Sequence, residues 1–372
     1  MTCNPAPRVL HIVWNLIRGG TEGQCARVAL GLAAQDVACR VAVSRREGFF
    51  LQAVEKNLGP VHVMDIHRSF SIHTLLEIRR LARFIRDERF YLVHAWDADA
   101  AIFGAKAARL AGVPLLTSRR DLGEIYGPRK LRRMEQADRQ ALAVVVNAQA
   151  IGDRVLAAGV TRERIVQIPN ILDVDEFDRQ SAAPPTTILP RGRWVVHVAR
   201  LDPEKDVATL LKSAAEVVAA VPEACFALAG DGVERARLES LTRDLKLGDR
   251  VVFLGDVTAV PALLKQAEVA VLCPKANEGL SNSILEYQAA ALPVVATDCG
   301  GNHELVRDGE GGFVVPIGAV SALADRMVEL LKHTERARAM GRVGRARVEA
   351  HHRPETVCAQ FARLYRASCE SP

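Results

Sequence analysis

The strongest constraint on the fold is a repeated alternation of short apolar runs with longer segments of helical periodicity. The runs are rich in Val and Ile with little polar alternation, which is typical of strands buried on both faces of a parallel sheet. In the first half of the chain they cover residues 9–14, 37–44, 61–66, 91–96, 114–118, 143–148 and 165–168. In the second half they cover residues 194–199, 225–229, 251–254, 269–273, 294–297 and 313–315. This alternation predicts an α/β fold with two Rossmann-like, doubly wound domains.

The segment 72–90 illustrates the helical periodicity between the runs. Its apolar set is Leu75, Leu76, Ile78, Leu81, Phe84 and Ile85, and its basic set is Arg79, Arg80, Arg83 and Arg86. Apolar residues at this spacing predict a helix that buries one stripe and turns its arginines outward.

The length of 372 residues suggests more than one domain, because a domain has roughly 150 residues. Prolines and small residues between positions 181 and 192 indicate a linker. We expect a first domain over 1–172, a second over 173–353 and an amphipathic C-terminal helix over 354–372. Ligands of open α/β sheets bind beyond the carboxyl ends of the strands, so a cleft faced by the two domains is the expected site.

Charge is distributed unevenly along the chain. The 49 basic and 44 acidic residues give a net charge of 49 − 44 = +5. Residues 1–190 contribute 26 − 20 = +6 and residues 191–372 contribute 23 − 24 = −1. The basic first half predicts an anionic partner, either a membrane surface or a charged substrate. No zinc finger, RNA-recognition signature or basic tail is present, so we expect no nucleic-acid partner.

Cysteine usage and hydropathy bear on the compartment. The eight cysteines, at positions 3, 25, 39, 225, 273, 299, 358 and 369, form no C-x-x-C pair. This pattern favours reduced thiols in the cytoplasm, with no zinc site. The N-terminus lacks the pattern of a signal peptide, and no run approaches the roughly 20 apolar residues of a membrane span. Any membrane association is therefore expected to be peripheral.

The most informative motif is NEGLSNSILE at residues 277–286, which follows an apolar run and opens a helix. The start of such a helix presents unpaired N–H groups that suit a phosphate or a sugar hydroxyl. Glu278 and Glu286 stand eight positions apart. Ser283 and Glu286 alternatively fit a capping box, in which Glu286 only satisfies backbone donors. That alternative leaves Glu278 unexplained.

In each half of the chain, one further candidate segment follows the first predicted strand. Arg200 and Lys205 could clamp a diphosphate, one by bidentate contacts and the other as a point charge. Alternatively they lie in a solvated turn, with Lys205 paired to Glu204 or Asp202. Gly19 and Gly20 allow a close backbone approach to a ligand, although a lone Gly-Gly turn is weak evidence.

Several enzyme classes are disfavoured by what the glycine-rich segments lack. No P-loop occurs, and the segment that begins at Gly230 has Arg235 where a dinucleotide fingerprint has its third glycine. Asp97 with Asp99, and Asp173 with Asp175, match D-x-D metal motifs, but this spacing arises easily by chance. His94 ends a predicted strand and is a candidate site residue, although a lone histidine there is more often structural.

Taken together, these segments resemble the retaining glycosyltransferases of family 4, the group 1 transferases of GT-B fold. The family's E-x7-E element appears as Glu278 and Glu286, and its R-x4-K element as Arg200 and Lys205. Residues 168–173, 228–232 and 293–304 also match family patterns, with Ile171 in place of a usual glycine. The resemblance covers nearly the whole chain, and it implies a C-terminal helix that crosses back to the first domain.

The resemblance implies a role for each matching residue. Arg200 and Lys205 would hold the donor diphosphate, Glu286 the donor ribose and Glu278 the transferred sugar. The backbone of Gly279, Leu280, Ser281 and Asn282 would cradle sugar and phosphate, and that of Gly19 or Gly20 would close from the other domain. Family members need no metal ion, so the implied site holds neither metal nor cofactor. Many members carry H-x-H where this chain has His94 and Trp96, so either His94 lies near the reacting carbon or the acceptor site differs from that of the family.

The predicted function is transfer of a sugar from a UDP- or GDP-linked donor to an acceptor sugar or lipid-linked glycan, in polysaccharide or glycolipid assembly. The alternatives are a non-catalytic nucleotide-sugar-binding protein and a nucleotide-sugar epimerase on the same fold. A basic set in the first half predicts an anionic or lipid-linked acceptor and docking on an acidic inner membrane surface, although it also fits a solvated face. That set is Arg119, Arg120, Arg129, Lys130, Arg132 and Arg133.

Overall fold

The computed structural model describes residues 7–66 and 71–370 of the chain. It contains two compact units, each with its own parallel sheet. Unit 1 runs to Ile171 and includes the C-terminal segment from Pro354, and unit 2 covers Leu172–Arg353. All thirteen apolar runs form strands, which confirms the predicted α/β, doubly wound fold. Cys3, one of the eight cysteines considered above, lies outside the described residues.

Each sheet is parallel throughout. The strands of unit 1 are β1 Arg8–Ile12, β2 Ala38–Val43, β3 His62–Val63, β4 Leu92–Ala95, β5 Leu115–Arg119, β6 Ala143–Val146 and β7 Ile165–Gln167, in the order β3-β2-β1-β4-β5-β6-β7. Those of unit 2 are β8 Arg193–Val198, β9 Ala224–Ala229, β10 Val251–Gly255, β11 Val269–Leu272, β12 Val294–Thr297 and β13 Gly312–Val315, in the order β10-β9-β8-β11-β12-β13. The order reverses beside β1 in one sheet and beside β8 in the other, which marks the switch points where such sheets bind ligands.

Helices connect the strands as doubly wound folds require. In chain order they are α1 Gly20–Gly31, α2 Leu51–Leu58, α3 Ile72–Asp87, α4 Ala98–Ala111, α5 Pro128–Gln140, α6 Gln149–Ala157, α7 Val174–Ala182, α8 Val207–Ala220, α9 Arg235–Asp244, α10 Val260–Leu264, α11 Asn282–Ala289, α12 Asn302–Leu305, α13 Val320–Lys332, α14 Thr334–His351 and α15 Pro354–Glu370. None of these helices, over the described residues, combines the length and hydropathy that crossing a membrane requires.

The core of unit 1 has two layers, one on each face of its sheet. Helices α3, α4 and α5 pack on one face, and α1, α2 and α15 pack on the other. The C-terminal helix α15 buries Val357, Phe361 and Tyr365 in this second layer. It therefore returns to the first unit, as the family resemblance implied.

Helix α3 differs from the predicted pattern. Ile78, Leu81 and Ile85 are buried as expected, whereas the side chains of Leu75 and Leu76 are 47% and 45% exposed. The inward row begins at the buried Thr74, so Leu75 and Leu76 are rotated away from the sheet by roughly 100° and 200°. The predicted stripe was too wide, and the first turns of α3 carry an apolar surface.

Candidate functional site

The two motifs of unit 2 leave neighbouring strands at the same edge of the sheet. Strand β8 precedes the segment with Arg200 and Lys205, and β11 precedes the segment with Glu278. These strands pair in parallel at the point where the strand order reverses. The backbone N–H of Lys275 donates to the carbonyl of Glu204 at 2.8 Å and joins the two loops. The sheet therefore brings together motifs that are more than 70 positions apart in sequence.

Lys205 and Glu278 form a direct ion pair across these loops. Lys205 Nζ lies 2.6 Å from Glu278 Oε2, and the two side chains are only 18% and 10% exposed. The alternative in which Lys205 pairs with Asp202 or Glu204 is wrong, because these carboxylates contact Arg200 instead. Each cation of the predicted diphosphate clamp thus has a carboxylate partner in the unliganded protein.

Arg200 and Lys205 differ in their surroundings. The Arg200 side chain is 69% exposed and contacts Asp202, with its Nη2 3.1 Å from Glu204 Oε1. An exposed guanidinium of this kind can leave its carboxylates for a more highly charged anion at little cost. Lys205 is more enclosed, so its interaction with a bound anion is screened less by solvent.

The motif helix α11 begins at a different residue from the one that the capping-box alternative assumed. Its N-cap is Ser281, whose Oγ accepts from the N–H of Ile284 at 3.4 Å. Ser283 is already inside the helix, and its Oγ donates to the carbonyl of Val198 at 2.8 Å. The capping-box interpretation of Ser283 with Glu286 is therefore wrong, and half-buried Glu286 lies on the helix beyond its first turn.

Sequence reasoning assigned no role to Tyr287, which fastens α11 to β8. Its buried hydroxyl accepts a hydrogen bond from the N–H of Val198 at 2.6 Å. Burial raises the pKa of Tyr287 far above its ordinary value, so the group stays a neutral phenol. A tyrosine one position after the second motif glutamate is the sequence signal that could have pointed to this contact.

Two glycines let other loops approach the site backbone closely. Gly300 has φ +57°, and a Cβ placed there would lie 2.0 Å from the carbonyl oxygen of Glu278. Gly301 N–H donates to the carbonyl of Gly279 at 3.0 Å. Gly230 has φ +128°, and its Cβ would lie 2.0 Å from the carbonyl oxygen of Ala199. Gly300 and Gly230 therefore need glycine, both because their φ angles are positive and because a Cβ would not fit.

The candidate residues Gly279, Leu280, Ser281 and Asn282 connect this packed loop to the helix. Leu280 is 6% and Ser281 3% exposed, and Asn282 is the first residue of α11. The loop is therefore held firmly by its own packing before any ligand binds.

The candidate residues of unit 1 lie at the ends of β1 and β4. Gly19 is the N-cap of α1 and Gly20 its first residue. His94 is fully buried, with Nδ1 2.6 Å from the Tyr365 hydroxyl and Nε2 2.9 Å from Ser118 Oγ. Burial lowers the pKa of His94 well below its ordinary value, so the ring is neutral. A role for His94 at the reacting carbon would require Tyr365 or Ser118 to release a ring nitrogen.

The two D-x-D matches have structural partners. Asp97 caps α4 by accepting from Ala100 N–H at 2.9 Å, and it also accepts from Trp14 N–H at 2.6 Å. Burial raises its pKa to about 6. Asp173 caps α7 in the same way. Among the described residues, no cluster of three His, Cys, Asp or Glu side chains has the arrangement of a metal site.

Comparison with known proteins gives matches in both halves. The model of Glycosyltransferase Family 4 matches residues 18–176, and that of Glycosyl transferases group 1 matches residues 192–333. The N-acetyl-alpha-D-glucosaminyl L-malate synthase of Bacillus anthracis is 30% identical over 46% of this chain and 44% of that protein. The putative glycosyltransferase EpsD of Bacillus subtilis is 32% identical over 46% of this chain and 45% of that protein. The chain thus spans less than half the length of these two curated relatives.

Other relatives match over a larger share of the chain. The UDP-Gal:alpha-D-GlcNAc-diphosphoundecaprenol alpha-1,3-galactosyltransferase of Escherichia coli is 25% identical over 76% of this chain and 80% of that protein. Among solved structures, Anabaena Alr3699/HepE in complex with UDP aligns over 97% of this chain and all of that one, with a TM-score of 0.82 and 22% identity. With both units matched by family models and the fold shared with GT-B glycosyltransferases, the chain belongs to the group 1 glycosyltransferases of family 4.

Proposed function

We propose that this protein is a retaining glycosyltransferase that moves a sugar from a nucleotide-diphosphate sugar to an acceptor in polysaccharide or glycolipid assembly. The observation that carries the proposal is the Lys205–Glu278 pair beside Arg200, at the switch point of the unit 2 sheet. The names of relatives support this donor class, since one uses UDP-Gal and another is GDP-mannose-dependent. The donor is accordingly a UDP- or GDP-linked sugar.

The proposed mechanism stabilises the charge that develops when the sugar leaves the diphosphate. Arg200 and Lys205 bind the diphosphate, and the N-terminus of α11 adds the partial positive charge of its N–H groups. The diphosphate carries more charge than one carboxylate, so it draws Lys205 away from Glu278. Glu278 then contacts the transferred sugar, and Glu286 contacts the ribose.

A thermal-shift panel tests this donor site. We expect one nucleoside diphosphate, UDP or GDP, to stabilise the protein by about 2.7 kcal/mol at a hundredfold excess over its dissociation constant. The corresponding monophosphate should stabilise it less, because it lacks one of the two phosphates that the cations bind. The absence of a shift with every nucleotide would contradict the donor site.

We also propose that unit 1 docks on an anionic membrane surface, in a form that corrects the predicted patch. Arg119 is buried, with its Nη1 2.8 Å from Asp138 Oδ2. Arg120 turns inward against Trp96, and Lys130 Nζ lies 2.6 Å from Asp99 Oδ2. Only the part of the predicted patch on α5 remains at the surface, chiefly Arg129 and Arg132.

Helix α3 extends this surface with apolar side chains. Ile72 is 82% exposed beside Leu75 and Leu76, and Arg79 and Arg83 follow on the exposed side of the same helix. Apolar side chains next to arginines suit the boundary between acyl chains and anionic headgroups. Helix α4 packs between α3 and α5, and a cavity of about 280 Å³ beside α4 is lined in part by Lys106, Arg109 and Arg133. These exposed residues of α3 and α5 form the docking surface.

Vesicle co-sedimentation tests this docking surface. We expect binding to vesicles of anionic phospholipid and little binding to neutral ones, because each basic residue near the surface contributes about 1 kcal/mol. The double substitution Arg79→Glu, Arg83→Glu should weaken binding by at least about tenfold. The control Arg243→Glu, Lys246→Glu reverses two exposed charges of unit 2 and should bind normally. Equal binding to neutral and anionic vesicles would remove the docking proposal and leave the donor site untouched.

A further inference from the structure

Arg120 follows β5 in unit 1, and its guanidinium group makes only some of the hydrogen bonds that it could make. Arg120 Nη1 donates to Asn170 Oδ1 at 2.6 Å, and the guanidinium carbon lies 4.7 Å from the ring centre of Trp96. Its Nε and Nη2 atoms are buried and have no hydrogen-bond partner. Over the described part of the chain, Arg120 forms no ion pair.

The two unpartnered nitrogens are the pair whose N–H bonds point the same way. This edge of an arginine binds a carboxylate or phosphate through two parallel hydrogen bonds. Arg46 uses the same edge on Glu55, with Nε 2.8 Å and Nη2 2.9 Å from the two carboxylate oxygens. Arg120 therefore presents a complete fork without the oxyanion that such a fork holds.

Burial makes this arrangement costly for the unliganded protein. It lowers the pKa of Arg120 to about 10, because the charged form has lost solvent. A buried charge without a counter-ion destabilises a fold, so a purely structural residue here would be better replaced by a neutral one. Arg119, the preceding residue, has its own carboxylate in Asp138. The difference between the two arginines indicates that the anion for Arg120 comes from outside the chain.

Neighbouring strand ends supply more polar atoms at the same edge. Trp96 follows β4, Asn147 follows β6 and Asn170 lies beyond β7, and these strands flank β5 in sequence order across the sheet. Asn147 Nδ2 donates to Asn170 Oδ1 at 3.1 Å, and Asn147 Oδ1 is buried without a partner. Asn147 Oδ1 therefore lacks a donor, and the Nε–Nη2 edge of Arg120 lacks an acceptor. Together they suit a ligand that carries both a hydroxyl group and an oxyanion.

We infer that these strand ends form an oxyanion subsite in which the Nε–Nη2 edge of Arg120 binds a phosphate or carboxylate group of the acceptor. That this ligand is the sugar acceptor rests on the proposed function, whereas the anion subsite itself does not. Asn147 Oδ1 accepts from a hydroxyl of the same ligand, and Trp96 and Asn170 hold the guanidinium plane in place. The subsite assigns the acceptor to the class of phosphorylated or carboxylated compounds.

Anion titration of the full chain tests the subsite. The protein is first saturated with UDP or GDP, whichever stabilises it, so that the donor cations are occupied. Inorganic phosphate and acetate are then titrated separately at constant ionic strength, and unfolding temperature is recorded. The variants are Arg120→Gln, which removes the charge, and Arg120→Lys, which keeps the charge but removes the fork. Arg162→Gln makes the same change as Arg120→Gln at an exposed arginine of unit 1 that precedes β7.

We expect at least one of the two anions to stabilise the wild-type protein and the Arg162→Gln variant equally. Its dissociation constant should rise about tenfold or more in Arg120→Gln, since two hydrogen bonds to a charged group are lost. The dissociation constant of Arg120→Lys should lie between that of the wild-type protein and that of Arg120→Gln. Without anion, Arg120→Gln should unfold at the wild-type temperature or above it. The preferred anion distinguishes a phosphate ligand from a carboxylate ligand.

Two results would overturn the subsite. One is an anion response that is unchanged in Arg120→Gln, or in Arg120→Lys if the first variant does not fold. The other is a wild-type protein that responds to neither anion while UDP or GDP still binds, which would leave the donor site standing. Failure of nucleotide binding alone would instead count against the proposed function, and the anion titration would then be run on the nucleotide-free protein.

Discussion

Replacement of Lys205 by alanine is expected to lower turnover of the nucleotide-sugar donor by roughly a hundred- to a thousandfold. The reason is that Lys205 is the more enclosed of the two cations that we propose bind the diphosphate. Steady-state release of nucleoside diphosphate from the donor, with the acceptor or with water in its place, measures this loss. The variant Lys212→Ala removes an exposed lysine of α8 and should turn over normally.

Lys205→Ala also leaves the Glu278 carboxylate, 10% exposed, without its cation. This should cost about 2 kcal/mol of stability, less than a fully buried pair because some solvent reaches it. Adding Glu278→Gln removes the unpaired charge and should restore stability without restoring turnover. Recovery of turnover in the double variant would mean that Lys205 acts only by holding the fold, which contradicts its assignment to the diphosphate.

Replacement of Gly300 by alanine is expected to destabilise unit 2 by about 3 kcal/mol and to abolish nucleotide stabilisation. The new Cβ would overlap the carbonyl oxygen of Glu278 at 2.0 Å, and the φ of +57° is unfavourable for alanine. The overlap pushes on the backbone of the motif loop, so donor binding should suffer together with the fold. Denaturant unfolding and nucleotide thermal shifts measure the two effects.

Gly309→Ala separates the two causes. Gly309 has φ +78°, but a Cβ there would meet nothing within 4 Å. This variant should lose only about 1 kcal/mol, the cost of the dihedral angle, and should bind nucleotide normally. If Gly300→Ala were no more damaging than Gly309→Ala, the close packing of Gly300 under the Glu278 loop would be contradicted.

The strands could be predicted because a strand buried on both faces leaves an uninterrupted Val- and Ile-rich run. All four residues of β4, β6, β11 and β12 are buried. Helix α3 was harder to predict, because its apolar residues cover more of the helix than the sheet can bury. The periodicity of a sequence shows which positions are apolar, but it does not show how many of those side chains are buried by packing in the folded protein.

The partners of the charged residues could not be predicted from local sequence. Lys205 pairs with a residue 73 positions away, whereas sequence reasoning considered only its near neighbours. Arg119 and Arg120 look equivalent in the sequence, but Thr117 and Arg119 share one side of β5 and both bind Asp138. Arg120 lies just past the strand and turns toward Asn170 instead. The sequence therefore predicted one basic patch that contains both arginines, whereas the strand geometry gives Arg119 and Arg120 different partners.

The most direct test of the central claim, that Arg200, Lys205 and Glu278 act on a nucleotide-diphosphate sugar, is a donor-turnover assay. Purified protein is incubated with a panel of UDP- and GDP-sugars and a panel of phosphorylated and carboxylated candidate acceptors, with water as the acceptor where none of these reacts. The released nucleoside diphosphate and the sugar are both analysed. We expect release of nucleoside diphosphate from one donor, and a rate lower by roughly a hundred- to a thousandfold in Lys205→Ala. Conversion of the sugar while it remains nucleotide-linked, or no release from any donor that binds, would contradict the central claim.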